Sequence, residues 1–182
     1  LTDETIEVDG HTLHRIRALK DFSDVSVGSL GGWLESEANL SHDGDCWVYP
    51  DAQVFGDAKV FHSAYVCGDA QVYNNACVFG HAHAHGTAHL CGQSQVFGEA
   101  IVYENAIVCG RSKIYNRSRI YGNARVYGDA QVSGQAKVYG DAQVSGQAKV
   151  FDKDITGEVV KVTMKNKPTI IMSPLWEGLA DD

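Results

Sequence analysis

Aliphatic side chains recur every six residues through the middle of the chain: Val48, Val54, Val60, Val66, Val72, Val78, Ala84, Leu90, Val96, Val102, Val108, Ile114, Ile120, Val126, Val132, Val138, Val144 and Val150. The run makes 18 hexads with no insertion. Two residues before each aliphatic stands a small residue, Cys46 first and then Ala, with Ser94, Ser112 and Ser118 as exceptions. Two residues after it Gly or Asn is usual, as at Gly56, Gly68, Asn74, Gly80 and Gly128. The unit is therefore small-x-aliphatic-x-Gly-x. Strand residues two apart point to the same side, so the small and aliphatic positions share the interior. Gly or Asn tolerates the backbone of a sharp corner. The pattern predicts an all-β fold, a triangular solenoid of about six 18-residue coils with small caps. Coils stacked at roughly 4.8 Å give a prism of about 29 Å, with residues a full coil apart directly over one another.

The ends depart from the period. Leu34, Leu40 and Cys46 extend the small-residue column backwards with larger side chains, which predicts an imperfect first coil plugging the N-terminal end. Thr5–Leu13 reads as a hairpin on an Asp9-Gly10 turn. Glu158–Met164 and Thr169–Met172 are strand-like runs about Asn166-Lys167-Pro168. The expected division is an N-terminal cap over 1–47, the solenoid over 48–151, and a C-terminal cap or subunit-contact arm over 152–182. Gly28-Ser-Leu-Gly31-Gly32 matches no phosphate-binding glycine motif and reads as a turn. Residues 127–138 and 139–150 are one twelve-residue sequence written twice, as befits a scaffold more than a tuned active site.

The hexad resembles the repeat of left-handed parallel β-helix proteins. The segment Asp24–Ser41 also resembles the N-terminal part of YdcK-like hexapeptide proteins of bacteria and phages. The two likenesses together cover about residues 13–151. They imply a left-handed solenoid, a homotrimer of parallel prisms, and relatives labelled as transferases without an established role. Many enzymes resembling this fold transfer acyl groups from coenzyme A, using a loop extruded from a coil and a catalytic His near a subunit interface. The uninterrupted array has no such loop. His62, at a corner, and His85 are the general bases within it that merit testing.

His81-Ala-His83-Ala-His85-Gly-Thr-Ala-His89 is the densest run of candidate chemistry. Ala82 and Ala84 point inward, so His83 and His85 lie outward on one face, with Tyr65 and Cys67 one coil below. His83, His85 and Cys67 are the candidate ligands of a zinc-like site with an open position. A row of exposed strand histidines is the competing reading. Cys91 and Cys109 stack one coil apart, within disulfide range, and read as reduced surface thiols.

Outward aromatics follow many core aliphatics. Phe61, Phe79, Phe97 and Tyr115 fall in one column, and Tyr103, Tyr121 and Tyr139 in another. Apolar stripes of this kind serve contacts between copies or with a partner. They also serve as ladders that stabilise the solenoid itself.

Composition adds little to the fold and more to the partners. The 182 residues carry a formal net charge of −8, divided as −7 over 1–47, +1 over 48–151 and −2 over 152–182. That balance argues against nucleic-acid binding. It makes the cap's Asp21, Asp24, Glu35, Glu37, Asp43 and Asp45 a candidate surface for a basic protein partner. Five cysteines without a framework, no apolar run of spanning length and no basic leader predict a cytoplasmic protein with no membrane contact. Asn39-Leu-Ser41 is a glycosylation sequon without a secretion signal to give it meaning. The residues call for no cofactor. The expected function is non-catalytic protein binding or scaffolding, of which the phage likeness makes inhibition of a host defence protein one form. Coenzyme A-dependent acyl transfer is the alternative.

Overall fold

The computed structural model describes residues 1–156 and 170–171. Parallel two- to four-residue strands at every hexad, joined by the strands of the two ends, stack into three sheets of nine, eight and seven strands, about seven turns in all. Register follows the period: Val48 pairs with Val66, Val66 with Ala84, and Ala84 with Val102. Each coil donates to the next, as in Tyr65 N–H to Ala82 O at 3.1 Å and His83 N–H to Ala100 O at 2.9 Å. The Ala column and the aliphatic column are fully buried from Val48 to Ile120, including both Ala84 and Leu90. Each Val so buried contributes about 1.5–3 kcal/mol, an amount every coil repeats three times.

Corners fall two residues after each aliphatic, in the left-handed region. Gly86 has φ +71°, and a Cβ there would stand 2.7 Å from Glu104 N in the coil above. Non-glycine residues hold the same conformation at His62 (φ 62°), Asn74 (59°), Glu104 (58°) and Asn116 (61°). Asn tolerates it locally, whereas His and Glu adopt it against their preference.

The N-terminal end is built as a hairpin joined to one face. Strands β1 (Thr5–Val8) and β2 (His11–Arg17) are antiparallel about Asp9 and Gly10, whose φ of 50° and 85° suit the tight turn. Strand β2 pairs antiparallel with β3 (Leu30–Leu34), which pairs parallel with Gln53–Val54 and so starts the nine-stranded sheet. Two expectations need correction here. Gly28 does turn, at φ 85°, but Gly31 and Gly32 lie within β3. A Cβ on Gly31 would sit 2.6 Å from the Trp47 ring, and one on Gly32 would sit 2.5 Å from Tyr49 O, so close packing, not turning, demands glycine. Leu34 and Leu40 pair with Val54 and Val60, beneath the aliphatic column instead of the small one. The cause is β4 (Leu40–Gly44), where four residue steps oppose the two from Val60 to His62. That bulge shifts the phase of everything before it.

At the far end Asp154–Thr156 pairs with Lys137–Tyr139, and Ile170–Ile171 with Lys149–Val150. The strand-like run Glu158–Met164, the Asn166–Pro168 segment and most of the expected arm lie outside the described residues.

Candidate functional site

The outward position after each core aliphatic forms one column per face, because the residues stack at the strand spacing. Phe61, Phe79, Phe97 and Tyr115 stack with ring centroids 4.7, 4.9 and 5.1 Å apart and planes within 5° of parallel. On another face Tyr103, Tyr121 and Tyr139 stack at 4.8 and 5.0 Å. All seven rings are half-buried. His85 continues the second ladder downward, its ring 5.0 Å from Tyr103 and 14° from parallel. A third, shorter stack of Phe55 and Tyr73 (5.2 Å) stands on the remaining face, with His11 from the hairpin against its lower end. Sequence periodicity located the first two ladders; it passed over the third, which cysteines interrupt.

His83 and His85 share a face as the alternation requires. Their rings are differently engaged: His83 meets Tyr65 edge-on at 5.3 Å, while His85 lies flat on Tyr103. Burial pushes both imidazoles below their ordinary pKa, His83 further disfavoured as a cation by His85 and His81. Cys67 sits one coil below His85, and burial raises its thiol. Among the described residues no group of three or more His, Cys, Asp and Glu is arranged to hold a metal ion. His62 is exposed at its corner, edge-on to Phe61 and Phe79.

The base of the prism carries a groove of about 880 Å³, whose walls include Ile16, Phe22, Leu34, Leu40 and Trp47. Of the six acidic residues assigned to this end, Glu35, Asp24 and Asp21 accept hydrogen bonds. Glu35 accepts from His11 Nδ1 at 3.0 Å and from Gly56 N–H at 2.6 Å, and these two bonds hold its carboxyl below the ordinary range. Asp24 accepts from the Tyr49 hydroxyl at 2.9 Å; burial first, and then this carboxylate, push the phenol up to about 12. Asp21 accepts from Val27 N–H at 2.7 Å. Asp21, Asp24, Glu37, Asp43 and Asp45 are exposed, and Glu35 is half-buried.

Asn39, part of the sequon, is 1% exposed and is structural. Its Nδ2 donates to Gly56 O and Ala58 O, both at 2.9 Å, and its Oδ1 accepts from Ser36 N–H at 2.8 Å. The side chain replaces the backbone donors that the β4 bulge displaced. No periodic signal marks it, because it lies where the period fails.

Outside the base, charges pair along the stacking direction. Arg111 meets Asp129 at 2.7 Å and Arg117 meets Glu99 at 2.9 Å, each one coil apart. A polar ladder runs Thr87, Asn105, Asn123 and Asp141 along one edge, with hydrogen bonds of 2.6, 3.2 and 2.9 Å. No helix among the described residues is long and apolar enough to cross a membrane.

Comparison with known proteins places this geometry. The YdcK β-solenoid repeat matches residues 118–134. An Escherichia coli (strain K12) protein named "Uncharacterized acetyltransferase YdcK" is 46% identical over 37 residues, which cover 20% of this chain and 11% of that protein. The chain thus aligns with a small part of that relative's length. The stacked register and the unbroken hexads make the chain a parallel β-solenoid, and over residues 118–134 it is similar to the YdcK solenoid repeat.

Proposed function

We propose that the chain is a rigid binding scaffold that associates with itself, as a trimer of parallel prisms, and with a protein partner through its aromatic faces. The observation that supports this most is the pair of half-exposed ladders, Phe61–Tyr115 and His85–Tyr139, on two faces of one prism. Flat rows of rings offer a large apolar area whose side chains are already ordered, so little conformational entropy remains to be lost on docking. Among the described residues the corners of the 48–151 array extrude no loop over these faces. The acidic cap supplies a smaller polar contact through Glu37, Asp43 and Asp45, and host defence proteins are the first class of partner to screen. The reading is tested by light-scattering mass after size exclusion, comparing the parent with Phe79→Glu and Tyr121→Glu. Each charge is expected to lower the mass towards one chain while the far-UV spectrum stays that of a β-solenoid. A single-chain parent overturns the trimer.

Acyl transfer is the second reading, favoured by the name of the E. coli relative. His85 is the base to test, since burial keeps its imidazole neutral and able to accept a proton. Acetyl-coenzyme A raising the melting temperature of the parent, with acetyl transfer lost in His85→Ala, would support this reading over the scaffold.

A further inference from the structure

Two cysteines occupy the aromatic column of the third face. Cys91 follows Leu90 and Cys109 follows Val108, and Leu90 pairs in register with Val108, so the thiols project from the same side of adjacent strands. Cys91 N–H donates to Val108 O at 2.9 Å, which fixes the backbone between them. Both side chains are free and partly exposed. They are also close: the Cys109 thiol is raised by burial and then by the neighbouring Cys91, and Cys91 also interacts with the Tyr73 hydroxyl below it.

The strand spacing decides what such a pair can do. Adjacent parallel strands are roughly 4.8 Å apart. A disulfide needs its Cβ atoms about 3.8 Å apart, so joining the sulfurs would draw two coils together by about 1 Å against a close-packed core. Metal–thiolate bonds to a first-row d10 ion are about 2.3 Å, so two in line span about 4.6 Å, close to the undisturbed spacing. Zinc would seek four ligands, and among the described residues no third His, Cys, Asp or Glu is placed to join these two. Soft thiolates with a coordination number of two select monovalent copper.

We propose that Cys91 and Cys109 form a two-thiolate site for Cu(I), bridging adjacent coils on the outside of the prism. Binding forms two Cu–S bonds and releases the two thiol protons to solvent, leaving one net negative charge on the bis-thiolate. Arg125, exposed on the same face one coil above, favours the anion at Cys109. No electron is transferred, because copper arrives and stays as Cu(I).

The test uses the full chain, reduced and kept anaerobic, titrated with Cu(I) as its acetonitrile complex and then challenged with a bathocuproine chelator. One copper per chain is expected to survive the challenge and to appear in the native mass. Its X-ray absorption should show two sulfur neighbours. Cys91→Ser and Cys109→Ser should each lose the ion, while Cys77→Ser and Cys67→Ser keep it. All four thiols lie on the outer surface and serine is nearly isosteric, so the fold is expected to persist, checked by the same melting curve. Copper fully removed from the parent, or retained by both Cys91→Ser and Cys109→Ser, overturns the proposal.

Discussion

Replacing Asn39 by Ala tests how the solenoid closes its first turn. The substitution removes the donors to Gly56 O and Ala58 O and the acceptor for Ser36 N–H. A buried polar group left without a partner costs about 1–3 kcal/mol. Water reaches the neighbouring groove at the base, so the low end applies to each group, and the sum is about 2–4 kcal/mol. For a chain of this size one kcal/mol moves the melting temperature by about 2–4 °C, so a fall of about 5–15 °C is expected if the array melts as one unit. Solenoid stability is a sum over neighbouring coils, so the loss should concentrate at the damaged end. Hydrogen exchange should therefore accelerate in peptides spanning residues 30–62 and stay unchanged in those spanning 101–140. Asn39→Asp should be worse than Asn39→Ala, because it turns a carboxylate towards two carbonyl oxygens. A stability loss below about 0.5 kcal/mol for Asn39→Ala, within the range of an ordinary surface change, would refute the reasoning.

Further outcomes follow from the same packing. Ser94 Oγ is buried without a hydrogen-bond partner, whereas Ser112 Oγ, one coil above in the same column, donates to Cys109 O at 2.9 Å. Ser94→Ala should therefore raise stability by about 1 kcal/mol and Ser112→Ala lower it by a similar amount, read by urea denaturation. Gly32→Ala should cost about 3 kcal/mol or more, since its Cβ meets the backbone of Tyr49 and Ala52, while Gly28→Ala should cost about 1–2 kcal/mol, from its left-handed φ alone. Acidification should destabilise the chain in two windows, followed by melting temperature against pH. His83 and His85 bind protons less readily folded than unfolded, so their contribution is full above the unfolded value near 6.5 and falls as pH drops through their lowered folded values. Glu35, likewise depressed, contributes above its unfolded value near 4.5 and loses that below it, a loss Glu35→Gln should abolish.

What the sequence made legible was whatever obeys the period. The interior columns, the corners and the ladders from Phe61 to Tyr115 and Tyr103 to Tyr139 all follow from a six-residue step on a strand. The His83/His85 alternation was legible for the same reason, but whether rings converge on an ion depends on their rotations, which spacing does not carry. His85 lies flat on Tyr103 and continues that ladder. The base was hidden because the β4 bulge breaks the phase: Leu34 and Leu40 fall in another column, Gly31 and Gly32 are packing glycines, and Asn39 substitutes for missing backbone donors. The acidic cap read as a charge density; half of its named carboxylates accept hydrogen bonds, Glu35 and Asp24 from the first solenoid coils as well as or instead of the cap.

The central claim is that the aromatic faces are contact surfaces and not only ladders. Native mass spectrometry of the reduced chain at micromolar concentration tests it directly, with Phe79→Glu and Tyr121→Glu measured beside it. The account predicts a species of three chains that gives way to single chains in both variants. A parent that remains a single chain across the concentration range, with melting temperature lowered in the variants, would contradict it and leave the rings a purely internal support.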